Sequence, residues 1–249
     1  MLQNTFCHTQ GISINTEKKI WENNIKSWDE FLEKSHQITS LTQSQITKIK
    51  QEILFSKSAF EENNLNYFKD KIPSNQHWRC VNCGKIAFVD IETTGLSKYT
   101  NKITTIGIYD GQTPKVYIRN KDLDQALEKL KEFDIIVTFN GKTFDIPFIE
   151  QHFKEKLNCI HLDLRYLLKE YNLSGGLKNI ELELGISRPE EVANMNGFEA
   201  VKLWKRYENQ NDISALEKLI KYNIEDIINL KTLLDWYIEK KLNELNFSL

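Results

Sequence analysis

The sequence lacks any apolar run long enough for a membrane-spanning helix, and its first residues lack the pattern of a signal peptide. It also lacks an excess of basic residues, with 33 Lys and Arg against 35 Asp and Glu. This balance argues against a broad basic surface for nucleic acid, although it permits a local basic patch. We therefore expect a protein without membrane association, located in the cytoplasm.

Cysteine is scarce, and the four cysteines are widely scattered: Cys7, Cys80, Cys83 and Cys159. Such a set is too small for a disulfide framework, which favours a reducing compartment. Cys80 and Cys83 have the spacing of half a zinc knuckle, but no second Cys-x-x-Cys pair supplies the other two ligands. Cys7 with His8, or Cys159 with His161, would have to complete the site. We favour a tight turn before the first strand.

The composition is otherwise that of a globular protein, with 40% hydrophobic and 27% charged residues in a chain of 249. That length fits one large domain or a domain with an appendage. Polar residues around Pro73 mark a boundary. We divide the chain into a helical segment, 1–79, and an α/β domain, 80–249.

Within residues 1–79 the clearest signal is a capping box, in which Ser27 begins a helix and Glu30 follows three residues later. The pair of short helices here resembles a helix-hairpin-helix unit, in which backbone amides at a helix start hold a phosphate. A small packing module with Trp21 and Trp28 in its core is the favoured alternative. Residues 41–68 keep apolar side chains at helical spacing.

Residues 80–249 alternate between strand and helix patterns. Strands are predicted at 86–89, 103–109, 115–118, 135–139 and 158–162. Helices are predicted at 123–133, through 149–153, and at 164–171, 180–184, 198–207 and 213–245. Asp110-Gly111 between two strands indicates a hairpin.

The first of these strands leads into two acids, Asp90 and Glu92, spaced two residues apart. Side chains on a strand alternate between faces, so both carboxylates point the same way. Two like charges side by side are costly unless a cation lies between them, and magnesium suits such a pair. A strand end that carries surface acids by chance is the alternative.

Further acids follow along the chain. Asp145 comes just beyond the carboxyl end of the apolar strand 135–139, where ligands gather in α/β sheets. Tyr222 and Asp226 are four residues apart in a long amphipathic pattern, which puts them on one helix face.

In order, these residues form Asp90-x-Glu92, then Asn140-x-x-x-Phe144-Asp145, then Tyr222-x-x-x-Asp226. The series resembles the three motifs of the DEDD superfamily of 3′–5′ exonucleases, in the subtype whose third motif carries tyrosine. Across nearly the whole chain, the sequence most resembles the YprB-type ribonuclease H-like domain proteins. The pair Cys80 and Cys83 departs from that pattern.

The resemblance implies a ribonuclease H-like α/β fold with a mixed central sheet flanked by helices, preceded by a small helical segment. It also implies exonucleolytic cleavage of DNA or RNA from the 3′ end with two Mg²⁺ or Mn²⁺ ions. Asp90 would bridge both ions, Glu92 and Asp226 would hold the one that carries the attacking water, and Asp145 would support the second. Tyr222 would orient that water and help to deprotonate it.

The same resemblance assigns a pocket for the terminal nucleotide. Its residues would be Thr93, Thr94, Gly95, Leu96, Asn140 and Phe144, with Leu96 wedged against a base. We expect nucleic acid as the partner and no obligate protein partner. Two alternatives stay open: a catalytically silent nucleic-acid-binding module with the same fold, and a helical interaction protein with a structural zinc.

Overall fold

The computed structural model describes residues 1–247. The chain divides into two compact units, Met1–Gly84 and Lys85–Leu249. None of the helices within the described residues combines the length and the apolar character that crossing a membrane requires.

The first unit is helical. Its α-helices are α1 (Ile14–Glu22), α2 (Trp28–Lys34), α3 (Gln43–Glu61) and α4 (Leu65–Lys71), and short 3-10 helices cover Leu2–Asn4, Ser35–Gln37 and Ser74–Cys83. The predicted capping box is present: the Ser27 side chain accepts from the Glu30 amide, and the Glu30 side chain accepts from the Ser27 amide. Trp21 and Trp28 are buried in the core of this unit.

Two local predictions for this unit need correction. The helical pattern over 41–68 is interrupted, because Asn63 adopts a left-handed conformation between α3 and α4 and Asn64 caps α4. The predicted tight turn at Cys80 and Cys83 is the end of a ten-residue 3-10 helix, Ser74–Cys83. All four cysteines of the chain are free thiols.

The second unit carries the sheet. Its strands are β1 (Ile86–Thr93), β2 (Ile103–Tyr109), β3 (Pro114–Ile118), β4 (Ile135–Thr138) and β5 (Ile160–Asp163). Its α-helices are α5 (Ala126–Leu130), α6 (Asp145–Phe153), α7 (Leu164–Leu168), α8 (Leu177–Glu183), α9 (Glu190–Ala193), α10 (Gly197–Gln210) and α11 (Ile213–Glu244). The helix predicted over 123–133 is shorter, with a 3-10 turn at Leu123–Gln125 before α5.

The five strands form one mixed sheet in the order β3-β2-β1-β4-β5. β1 pairs antiparallel with β2 and parallel with β4, and β4 pairs parallel with β5. The carboxyl ends of β1, β4 and β5 therefore meet at one edge of the sheet. The predicted β2–β3 hairpin is confirmed, and Gly111 in its loop has a φ of +91° that favours glycine.

The two faces of the sheet have different coverings. Ala87, Val89 and Ile91 of β1 belong to a core that also includes Phe148 and Ile149 of α6. Helix α11 packs against β1, β2 and β3. Alternation along β1 therefore directs its odd-numbered side chains into the α6 core and its even-numbered side chains to the opposite face. The predicted architecture, a mixed sheet flanked by helices and preceded by a helical segment, is confirmed.

Candidate active site

Strand β1 carries two acids on the same face. Asp90 lies opposite Gly107 of β2, and Glu92 lies opposite Thr105. Apolar residues before Asp90 make the strand, and β1 continues through Thr93. Both acids therefore lie within the strand, and its pairing with β2 becomes irregular only after Glu92. Asp90 is half-buried, and only 8% of Glu92 is exposed.

Helix α11 brings a third acid to this pair. One carboxylate oxygen from each of Asp90, Glu92 and Asp226 lies within 4.8 Å of the other two. Among residues 1–247 this is the one group of three or more His, Cys, Asp or Glu side chains with a spacing suited to a metal ion. The cysteines and histidines of the first unit form no such group within that part of the chain.

Asp145, the first residue of α6, approaches the same place from the other side of β1. Its Oδ1 accepts a hydrogen bond of 3.1 Å from the amide of Ile91, the residue between Asp90 and Glu92. Only 3% of Asp145 is exposed. The structure therefore places Asp145 beside the two acids of β1, although Asp145 lies outside the group of three with metal-ligand spacing.

The four acids interact electrostatically, and burial amplifies the interaction. Burial, followed by the charges of Asp226 and Asp145, raises the pKa of both Asp90 and Glu92 well above the ordinary value of a carboxyl group. Burial also raises the pKa of Asp145 to about 7. Without a cation, four ionised carboxylates in this space repel one another, which makes the site a strong attractor of positive charge.

Asp226 has a cationic neighbour that the sequence analysis missed. Its Oδ1 accepts a hydrogen bond of 2.6 Å from Nη2 of Arg188, which lies in the loop after α8. Arg188 also donates from Nε and Nη2 to the two carboxylate oxygens of Glu181, at 2.6 Å each. Burial raises the pKa of Asp226 to about 6, and Arg188 limits that rise.

Asp90 is fixed by a second residue of α11. Nδ2 of Asn223 donates to Oδ2 of Asp90 at 2.7 Å and to the Asp90 carbonyl at 3.3 Å. Asn223 is fully buried, and the absence of a side chain at Gly107 makes room for it. A Cβ at Gly107 would lie 2.7 Å from Oδ1 of Asn223.

Tyr222 lies next to the acids and is 8% exposed. Burial, followed by the charge of Asp226, raises the pKa of its phenol. Nζ of Lys178 lies 5.0 Å from the centre of its ring, and the guanidinium carbon of Arg188 lies 5.7 Å from it. Lys178 also donates to the carbonyls of Val192 and Ala193, at 3.3 and 3.2 Å.

The residues after β1 form a tied turn with one exposed apolar tip. Oγ1 of Thr93 donates to the Gly95 carbonyl at 2.6 Å, and Oγ1 of Thr94 accepts from the Lys102 amide at 3.0 Å. Leu96 is 86% exposed. The turn from Thr93 to Leu96, whose four residues are predicted to contact substrate, lies at the sheet edge where β1 ends.

Asn140 and Phe144, also predicted to contact substrate, follow β4 at the same edge. Oδ1 of Asn140 is engaged by Nη1 of Arg165 at 2.6 Å, and Asn140 has a left-handed φ of +66°. Asp163 at the end of β5 accepts from the amides of Asn140 and Lys142, which holds this loop in place. Phe144 is half-buried, with its ring centre 4.8 Å from that of Phe148.

Three residues that hold the acids, directly or through a partner, were not predicted from the sequence: Glu181, Arg188 and Asn223. One signal was available for Arg188. The chain has only five arginines among its 33 basic residues, and a planar fork suits a buried ion pair better than the ammonium of lysine. Nothing in the local pattern around Glu181 separates it from the exposed acids of other helices.

A family profile described as the RNase_H superfamily matches residues 87–238. An uncharacterized protein of Methanocaldococcus jannaschii, MJ0365, is 26% identical over 166 residues, which cover 57% of this chain and 88% of that relative.

Solved structures give weaker similarities. The family B DNA polymerase of Pyrobaculum calidifontis matches 64% of this chain at 15% identity, with a TM-score of 0.49, and the match spans 24% of the polymerase. NrnC of Brucella melitensis bound to pGG matches 63% of this chain and 74% of its own, at 18% identity and a TM-score of 0.44. Another structure of NrnC contains Mg²⁺.

Proposed function

The chain belongs to the RNase H superfamily, and on that premise we propose that it is a metal-dependent 3′–5′ exonuclease. Its substrates would be single-stranded or frayed ends of DNA or RNA, hydrolysed with two divalent ions. The proposal assigns it to the YprB-type proteins among the tyrosine-bearing DEDD exonucleases, on the resemblance of its three motifs. Metal ligands in this proposal are Asp90, Glu92, Asp145 and Asp226.

The observation that carries the proposal is the convergence of Asp90, Glu92 and Asp226, with ligand atoms within 4.8 Å of one another. A protein that kept these acids for packing would place them apart or pair each with a cation, because unpaired buried charges are costly. Raised pKa values of Asp90 and Glu92 express that cost. Divalent cations would remove it.

The donor set fits Mg²⁺ or Mn²⁺. Both ions prefer carboxylate oxygens and water, and the cluster offers oxygen ligands without a thiol or imidazole. Four carboxylates carry the charge that two divalent ions balance. When bound, such an ion pair stabilises the attacking and leaving oxygens of a phosphoryl displacement.

The chain's own residues would divide the remaining work. Asp90, whose carboxylate is oriented by Asn223, would serve as a metal ligand. Tyr222 keeps its proton at neutral pH, since its pKa is raised. That favours a phenol that orients the attacking water by hydrogen bonding over one that takes the water's proton.

The turn after β1 would capture the terminal nucleotide. Leu96 is an exposed apolar side chain on a turn tied down by Thr93 and Thr94, which suits a wedge against a base. A wedge acts at an unpaired end without the cost of opening a duplex. Phe144 presents part of its ring at the same edge, and stacking on an aromatic ring is worth roughly 1–3 kcal/mol per base.

One observation favours the alternative of a silent nucleic-acid-binding module. Arg188 already supplies a cation to Asp226, and a built-in cation is one way for a degenerate nuclease to fill its metal site. The two functions differ in one requirement, since only the enzyme needs a divalent ion to act on nucleic acid.

The test is digestion of 5′-labelled single-stranded DNA and RNA side by side, in Mg²⁺, in Mn²⁺ and in EDTA. We expect a ladder that shortens from the 3′ end in either metal and no cleavage in EDTA. A 3′-phosphate should slow degradation strongly, and circular single strands should resist it.

Asp90→Asn, which keeps the shape of the side chain, should abolish cleavage and still bind the oligonucleotide. Glu239→Gln, which removes a charge from the exposed part of α11, is the matched control and should cleave normally. Binding of the oligonucleotide by the wild type in EDTA as well as in metal, without cleavage in either, would establish the silent module instead. Cleavage of circles as fast as linear strands would make the protein an endonuclease.

A further inference from the structure

Arg188 lies at the centre of a buried polar network beside Asp226. Its side chain is 3% exposed, and those of Glu181 and Asp226 are 2% and 6% exposed. Nε and Nη2 form the two-pronged contact with Glu181, and Nη2 also reaches Oδ1 of Asp226. One guanidinium and two carboxylates are thus joined out of contact with bulk water.

A second contact ties the same network to α11. Nδ2 of Asn229 donates to Oε1 of Glu181 at 3.1 Å, and Asn229 lies three residues after Asp226 on the same helix face. Glu181 of α8 is therefore held from two directions by groups beside Asp226. Glu181 in turn fixes the guanidinium of Arg188 in a defined position relative to Asp226.

The charges in this network argue against Arg188 as a replacement for a metal ion. Glu181 cancels the charge of Arg188, so the pair is neutral as a unit. Asp90, Glu92, Asp145 and Asp226 carry a total charge of −4 when all are ionised, and the neutral pair does not offset it. An arginine that replaced a metal ion would have no counter-acid of its own.

The shape of the guanidinium determines how Arg188 contacts Glu181 and Asp226. A guanidinium is a planar fork, so its position is fixed once two of its nitrogens bind one carboxylate. The third contact, to Oδ1 of Asp226, then fixes the rotation of that carboxylate. One carboxylate oxygen of Asp226 also belongs to the cluster with Asp90 and Glu92.

We propose that Arg188, held by Glu181, is a positioning residue that orients the carboxylate of Asp226 as a metal ligand. This inference rests on the proposed function, because it takes the acid cluster as a divalent-ion site. Groups that orient a metal ligand typically account for 10- to 100-fold in metal affinity.

The test measures binding of Mn²⁺ alone, without nucleic acid, by calorimetry. Arg188→Lys keeps the charge and removes the planar fork, so the contact with Glu181 no longer fixes the position of the cation relative to Asp226. We expect Mn²⁺ affinity to fall 10- to 100-fold. Arg206→Lys is the matched control: Arg206 makes a similar two-nitrogen contact with Asp212 in the same unit but is 54% exposed. The Mn²⁺ affinity of Arg206→Lys should equal that of the wild type.

Unchanged or tighter Mn²⁺ binding by folded Arg188→Lys would overturn the proposal. If that variant does not fold, the double variant Glu181→Gln with Arg188→Gln leaves no unpaired charge within the pair, and affinity equal to wild type there would overturn it equally. Failure of both variants to fold would mean that the network holds the fold and not the ligand, which also contradicts it.

The outcome separates this inference from the proposed function. A wild-type protein that binds Mn²⁺ through Asp90 but cleaves nothing contradicts the nuclease and leaves the role of Arg188 standing. A wild-type nuclease whose Mn²⁺ affinity is unchanged by Arg188→Lys contradicts only the role of Arg188.

Discussion

Tyr222 and Asp226 lie one helical turn apart on α11, and burial raises the pKa of both, yet the two side chains differ in charge at neutral pH. Asp226, with a pKa of about 6, is mostly ionised and available as a ligand. The pKa of Tyr222 is raised, so its phenol stays protonated and uncharged. The residues therefore suit different roles, one in holding a cation and the other in donating a hydrogen bond.

Tyr222→Phe should separate those roles. Removal of the hydroxyl leaves the ring packed and the acids unchanged, so metal affinity should stay the same. Positioned groups of this kind contribute roughly 10²–10⁴-fold to a rate, and we expect turnover to fall within that range. Single-turnover cleavage at saturating Mg²⁺ measures the effect.

Tyr237→Phe is the control for that experiment. Tyr237 is fully buried on the same helix, and its hydroxyl donates to Glu170 at 3.4 Å. It should cleave at the wild-type rate. Equal rates for Tyr222→Phe and the wild type would show that the phenol only packs.

Residues that carry charge in a recognisable spacing were predictable, and those that hold them were not. The two-residue spacing typical of a strand predicted Asp90 and Glu92 as a pair, and the four-residue spacing from Tyr222 predicted Asp226. Glu181 and Arg188 act on Asp226 from a helix and loop distant in sequence. Their partners are fixed by tertiary packing, which the local pattern does not encode.

At the scale of elements, the approach of α11 to β2 depends on one missing side chain. Gly107 faces α11, and Asn223 fills the space above it to reach Asp90. An added Cβ would also lie 3.1 Å from Cγ2 of Ile227. The glycine thus couples the packing of a helix to the orientation of a proposed metal ligand.

Gly107→Ala should destabilise the protein by about 1–3 kcal/mol, the usual cost of overpacking a filled core. It should also weaken Mn²⁺ binding, because Asn223 must move away from Asp90. Chemical denaturation and calorimetry measure the two effects.

Gly197→Ala is the matched control, since Gly197 is the first residue of α10 and a Cβ there would meet no atom within 4 Å. It should change neither quantity. A folded Gly107→Ala protein with wild-type stability would show that α11 yields without cost, and the coupling would be wrong.

Elements were predicted where the local signal agrees with the tertiary context. The β2–β3 hairpin and the long C-terminal helix are present over nearly the predicted residues. The sequence pattern did not predict the interruption at Asn63, because a single left-handed asparagine leaves the apolar spacing around it nearly unchanged. The shortened α5 reflects the same limit, since a 3-10 turn and an α-helix share almost the same pattern.

At the scale of the whole molecule, the buried acids predict an unusual dependence of stability on pH without metal. An acid whose pKa is raised by folding binds its proton more tightly in the native state than in the unfolded state. The bound proton therefore stabilises the native state at low pH. This stabilisation is lost as the pH rises toward the pKa of the acid in the native state. For Asp145 the window runs from about 4, its ordinary value, to about 7.

In EDTA, wild-type stability should therefore fall more steeply between pH 4 and 7 than that of Asp145→Asn. The difference in slope should approach about 1.4 kcal/mol per pH unit, the value for one proton. Saturating Mg²⁺ should remove it, because the bound cation favours the ionised carboxylate. Urea denaturation across that range measures the slopes.

Glu239→Gln, which removes an exposed acid from α11, controls for the loss of one charge and should keep the wild-type slope. Parallel slopes for wild type and Asp145→Asn would contradict the raised pKa of Asp145.

The central claim is that Asp90, Glu92, Asp145 and Asp226 hold divalent ions, and anomalous diffraction from crystals grown with Mn²⁺ tests it most directly. We predict two anomalous peaks at these carboxylates in the wild type, and neither peak in Asp90→Asn. A well-ordered structure with saturating Mn²⁺ and no anomalous peak among the four acids would contradict the claim.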